Sequence, residues 1–121
     1  MWQLQPTDQY LKDLEWYGKK RPNELAAVLN NLGRYFLLLK SAKNAGCVQA
    51  GYIHTEGKGV LAVDERAGGP SLEATRLYFF SHQASCTVHL ITIGNKDAQQ
   101  SDVKLCHDFV LKNFPIAPSH A

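Results

Sequence analysis

Thr75–Lys104 reads TRLYFFSHQASCTVHLITIGNKDAQQSDVK, and its pattern decides the fold. Thr75–Ser81 and Thr87–Ile93 are rich in β-branched and aromatic residues, which suit a pleated surface. The polar link His82–Cys86 is short enough to join them as a hairpin. Alternation puts Arg76, Tyr78 and Phe80 on one face and Leu77 and Phe79 on the other. In the second strand Val88 and Leu90 fall on one side, and His89, Ile91 and Ile93 on the other. Apolar residues on both faces predict central strands. Gly94-Asn95-Lys96 then turns the chain, and Ser101 or Asp102 is placed to cap a last helix. Val103, Cys106, Phe109 and Val110 form its apolar stripe, and Phe114-Pro115 ends it. Taken alone, Arg76 reads as a surface arginine paired with a carboxylate such as Glu65 or Glu73.

Upstream, Trp2–Gln5 alternates as a short first strand that Pro6 stops. Thr7 or Asp8 is placed to cap a helix with Tyr10, Leu11, Leu14 and Tyr17 on one stripe. Gly18 followed by Lys19, Lys20 and Arg21 is expected to break it. Pro22 then suits the first position of a second helix and Glu24 its first turn. Leu25, Val28, Leu29, Leu32, Tyr35, Phe36 and Leu39 keep the 3.6 period to about Ser41. Cys47–His54 reads as a weak strand or an extended loop. Val60–Val63 is a clearer strand running into Asp64-Glu65-Arg66, and Ala67–Ser71 is a turn. Gly57-Lys58-Gly59 lacks the spacing and the following helix of a phosphate loop. The expected class is α+β: an N-terminal strand and helical hairpin, an antiparallel sheet of about four strands with room for one weak extra, and a C-terminal helix.

With 121 residues the chain is expected to form one domain, residues 1–121. The net charge of +2 permits a nucleic-acid partner without demanding one. No apolar run approaches the ~18 residues of a membrane helix, and no signal-like segment opens the chain, so a cytoplasmic protein is expected. Cys47, Cys86 and Cys106 are odd in number and widely spaced, which argues for free thiols. The histidines His54, His82, His89, His107 and His120 show no ligand spacing. Neither a metal nor a cofactor is expected. His89, in mid-strand, reads as a core histidine.

Four segments, in order, resemble the RelE/ParE/HigB superfamily of toxins from bacterial type II toxin–antitoxin pairs. They are Thr7–Leu14 (TDQYLKDL), Gly57–Gly68 (GKGVLAVDERAG), Arg76–Phe80 (RLYFF) and Ile93–Val103 (IGNKDAQQSDV). The last is similar to the Gly-x-Lys/Arg segment and Gln-x-x-Asp-Ile/Val of the HigB-like branch. The resemblance implies a RelE-like fold and a ribosome-dependent mRNA endonuclease. In such an enzyme the ribose 2′-OH attacks the adjacent phosphate and leaves a 2′,3′-cyclic phosphate. It also implies an antitoxin, the ribosome and mRNA as partners. Matched position by position, Arg76, Lys96 and Arg66 are the catalytic candidates, with charge stabilisation as their role. A guanidinium grips two phosphate oxygens at once and stays charged. Lys58, Lys104 and the basic run Lys19, Lys20 and Arg21 are the candidates for RNA contact, although each also reads as an ordinary surface cation. RelE places proton-transferring lysines where this chain has Ala62 and Asp64, and a helix tyrosine in the region of Lys104. The resemblance therefore names no acid or base here.

Two other readings share the fold. A ParE-like toxin inhibits gyrase by binding, and a catalytically inactive relative acts as a binding partner alone. Convergence of Arg66, Arg76 and Lys96 in one concave patch favours RNA cleavage, whereas scattering of these cations, or their pairing with Asp64, Glu65 and Asp97, favours binding. Trp2, Trp16 and the Phe109–Phe114 region are candidates for exposed apolar surface that a partner helix would cover.

Overall fold

A computed structural model describes residues 1–115. Five strands and three α-helices follow one another as β1 (Gln3–Pro6), α1 (Asp8–Lys20), α2 (Pro22–Ser41), β2 (Ile53–Thr55), β3 (Val60–Asp64), β4 (Thr75–His82), β5 (Thr87–Asn95) and α3 (Gln99–Asn113). The strands form one sheet in the order β1-β5-β4-β3-β2. The class is α+β, as expected, but the sheet is mixed and five-stranded rather than antiparallel and four-stranded. β1 lies parallel to β5, and every other neighbour is antiparallel. The helical hairpin between β1 and the remaining strands makes this possible, because parallel neighbours need a long crossover. The extra strand is β2. Its three residues are too few for alternation to distinguish from a loop.

The faces of β4 follow the sequence pattern. Leu77 and Phe79 pack with Val28, Leu32, Tyr35 and Leu39 of α2, while Tyr78 packs with Val60, Ala62, Ile91, Cys106 and Val110 beneath α3. The Tyr35 and Phe79 rings lie 4.7 Å apart, an aromatic pair that adds about 0.5–1.5 kcal/mol beyond the area it buries. The faces of β5 differ from the expectation. Register shifts between Tyr78 and Phe79, so strict alternation fails across the bulge. Ile93 joins the helical-hairpin core with Val88 and Leu90, and Ile91 goes to the α3 side.

The helices differ from their sequence patterns in register rather than in existence. Thr7 caps α1 by accepting from the Tyr10 N–H. α1 continues through Gly18 to Lys20, and its basic last turn complements the helix dipole. Leu11 and Leu29, assigned to apolar stripes, are exposed instead. α3 begins at Gln99, two residues before the expected cap. The preceding 3-10 turn, Lys96–Ala98, is capped by Asn95, which accepts from the Ala98 N–H. Residues 116–121 lie outside the described residues.

Candidate functional site

The α3 side of the sheet is open at one end, where β3 finishes, β4 starts and β5 leads into α3. Side chains from these elements and from β2 line a cleft of about 210 Å³. They include His54, Asp64, Glu65, Arg66, Thr75, Arg76, Asn95, Lys96 and Gln99. That volume is below the roughly 300–1,000 Å³ of pockets for drug-sized ligands. Three cations face two carboxylates here, so the cleft is only mildly basic.

Cross-strand register explains the assembly. Asp64 is paired with Arg76 across β3 and β4, and Gly94 with Arg76 across β4 and β5. Arg76 therefore projects beside Asp64, with Lys96 two residues beyond the point where β5 passes it. Asn31 fixes the β3 side. This asparagine is fully buried on α2, and its amide donates to the Asp64 carbonyl at 2.9 Å and the Arg66 carbonyl at 2.8 Å. A buried amide spent on two backbone carbonyls is a positional device, since removing it strands both acceptors.

Asp64 is the hub of the cleft wall. Its Oδ1 accepts from the Arg66 backbone N–H at 2.8 Å. Its Oδ2 accepts from His54 Nε2–H at 2.7 Å, with the Arg66 guanidinium 3.6 Å away. A histidine that donates through Nε2 carries its basic lone pair on Nδ1 when neutral, so Asp64 fixes both the ring's orientation and its tautomer. The His54 ring is about one-quarter exposed. Arg66 is mostly exposed beyond its contact with Asp64.

Arg76 is held differently from the sequence expectation. Its partner is neither Glu65 nor Glu73 but Glu56, whose Oε2 accepts from Nη1 at 2.6 Å. Glu65 instead accepts from the Thr75 N–H, and Glu73 lies 3.7 Å from Arg21. Lys96 is exposed and makes no ion pair with any described residue.

The structure thus brings Arg66, Arg76 and Lys96 together, and none of the other cations named from the sequence lines the cleft. Lys58 sits at the tip of the β2–β3 turn with φ +55°. Lys104 pairs with Asp108 along α3, and Lys19 with Glu15 along α1. Lys20 and Arg21 lie at the junction of α1 and α2. His54 and Glu56 had no role from the sequence, and Asp64 only that of a carboxylate that could pair with the cations. They act together only through a three-residue strand whose register no local pattern announces. His89 is not enclosed in the core. It is half-buried between Phe109 and Phe114, and burial lowers its pKa, with His82 adding repulsion. Among the described residues no cluster of three or more metal-ligating side chains occurs, and no helix is long and apolar enough to cross a membrane.

Comparison of the chain with protein families, characterised proteins and solved structures yields no match.

Proposed function

We propose that the cleft binds an RNA phosphate and cleaves the adjacent backbone by attack of the ribose 2′-OH, in the manner of a RelE-like, HigB-like toxin acting on mRNA at the ribosome. The observation that carries this reading is the convergence of Arg66, Arg76 and Lys96 around a histidine oriented by a carboxylate. In-line transesterification asks for three things: a group to accept the 2′-OH proton, positive charge for the phosphorane, and a proton for the departing 5′ oxygen. Arg76 and Lys96 supply charge at the phosphate, and Arg66 adds to it from beside Asp64. His54 Nδ1 takes the 2′-OH proton while Asp64 stabilises the resulting imidazolium, and a water molecule on the opposite side protonates the departing 5′ oxygen. Each bond made is balanced by one broken, and the 3′ product ends in a 2′,3′-cyclic phosphate. The β-α-α-β-β-β-β-α order also matches the element order expected of a RelE-like toxin with one added strand. An antitoxin is the partner such a toxin requires, and Trp16, 51% exposed on α1, is available to one.

A second reading, binding without cleavage, draws on the pairing of Arg76 with Glu56 and of Arg66 with Asp64. Both carboxylates offset charge that a phosphate would otherwise meet. It covers a ParE-like gyrase inhibitor and an inactive relative.

Primer extension on a reporter mRNA in a reconstituted translation system separates the two. Codon-phased cleavage by the wild type is expected, absent in Arg76→Ala and reduced roughly 10²–10⁴-fold in His54→Ala. Folded wild-type protein that leaves the message intact would overturn cleavage and favour binding.

A further inference from the structure

A chain of contacts leads away from the cleft and ends on the far helix. Glu56, which holds Arg76, does not itself line the cleft. Its carboxylate is only 11% exposed, and the Arg76 side chain 28%. At this depth the pair is screened less than a surface ion pair, and the 2.6 Å bond occupies Nη1 alone. The other guanidinium donors keep their freedom to meet a phosphate. Glu56 is in turn gripped from α3: His107 Nε2–H donates to its backbone carbonyl at 2.7 Å.

Gly57 makes that grip possible. Its φ is +89°, and a Cβ there would lie 3.3 Å from His107 Nε2. Only glycine takes this backbone conformation without strain and also leaves the imidazole its approach. Lys58 and Gly59 continue the positive-φ run, so the turn has one shape, and the Glu56 N–H closes it on the Val60 carbonyl at 2.8 Å. A turn of fixed shape, pinned to a helix, presents a carboxylate to an arginine. This is the form of a positioning device, and a plain surface salt bridge would need none of it.

We infer that Glu56 aims the Arg76 guanidinium into the cleft and that His107 sets Glu56, so that α3 positions the arginine through the β2–β3 turn. The inference rests on the reading of Arg76 as the phosphate ligand. Glu56 and His107 are positioning residues, because neither lines the cleft. Misaiming a charged clamp by about 1 Å costs up to roughly 10²-fold in rate while leaving the charge itself in place.

The test uses the full chain and two readouts. Arginine side-chain ¹⁵N–¹H spectra, with the Arg76 signal assigned from Arg76→Lys, report how firmly the guanidinium is held. The wild type is expected to show separate, slowly rotating Nη resonances for Arg76. These collapse toward those of the exposed arginines in Glu56→Ala and in His107→Ala. Single-turnover cleavage is expected to fall roughly 10–100-fold in both variants, with RNA affinity changed less than the rate. His107→Gln, whose amide can still donate to the carbonyl, recovers most of the rate and the resolved resonances. A faster Glu56→Gln would mean that Glu56 restrains Arg76 rather than aiming it, and would overturn the proposal. Unchanged Arg76 resonances in a folded His107→Ala would overturn the link to α3. If the wild type cleaves nothing, the reading of the cleft fails, yet the spectra still decide whether Glu56 and His107 hold the arginine.

Discussion

Asp102 shows how a single buried atom sets a pH dependence. Its Oδ2 is fully shielded and has no hydrogen-bond partner among the described residues. It rests on Gly94, where any Cβ would stand 1.8 Å away. Burial, with the Asp13 carboxylate adding repulsion, pushes the Asp102 carboxyl from 3.8 up to about 6. A raised carboxyl keeps its proton in the native state after the unfolded chain has released it. Stability is therefore drawn down as pH rises from about 4 to 6, and the full cost is present above that. The position of Asp102 in the first turn of α3 favours the charge by only about 0.3–1 kcal/mol, too little to reverse the shift. Since part of the side chain reaches solvent, the net cost at neutral pH is on the order of 1 kcal/mol. Asp102→Asn should raise the melting temperature by a few degrees at pH 7 and leave it unchanged near pH 4. Differential scanning calorimetry of both proteins across that range checks the sign. Gly94→Ala, by contrast, should destabilise the fold, because a methyl group there forces the Asp102 side chain to move.

Among the elements, α1 does something unusual for a helix: it continues the edge of the sheet. β1 ends at Pro6, opposite Leu90, and β5 runs on to Asn95 with that edge uncovered. Thr7 takes over, its N–H donating to the Leu90 carbonyl at 2.9 Å and its hydroxyl to the Ile91 carbonyl at 2.8 Å. Six residues on, Asp13 accepts from the Ile93 N–H at 3.0 Å and from the Thr92 hydroxyl. Asp13→Ala leaves both donors without a partner. It should lower stability by about 1–3 kcal/mol in urea unfolding, whereas Leu11→Ala, on the exposed side of the same helix, should cost little. Elements of this kind separate what the sequence discloses from what it hides. α2 and the β4–β5 hairpin were legible because seven periodic apolar residues or two alternating runs repeat one local rule. Arg66, Arg76 and Lys96 were named through the resemblance to RelE-like toxins, not by any local pattern of their own. Their setting was not legible. Asn31 sat unnoticed in the middle of a helix, and Glu56 and His54 meet their partners across a register fixed by tertiary pairing. The bulge at Tyr78/Phe79 turned Ile93 to the other face for the same reason.

The described residues form a sheet with a helical hairpin on one side and a single helix on the other. The hairpin core holds Val28, Leu32, Tyr35, Leu39, Leu77, Phe79 and Val88, each at most 5% exposed. The α3 side is smaller and ends in half-covered rings, with Phe114 between His82 and His89 at 4.4 and 5.0 Å. Protection should follow this inequality. In native-state hydrogen exchange, amides of β4 and β5 should exchange through global unfolding alone. Those of β2 and the last turn of α3 should exchange earlier, and equal protection throughout would contradict the asymmetry. The parallel placement of β1 has a consequence in time. Gln3 finds its partner at Thr87, 84 residues on. At roughly 5–20 residues per second, translation leaves about 4–17 s between the two. Through that interval the first strand and the amphipathic hairpin after it are solvated or held by other molecules. The order of synthesis and the order of assembly therefore run opposite ways, and the segment made earliest is among the last to find its place.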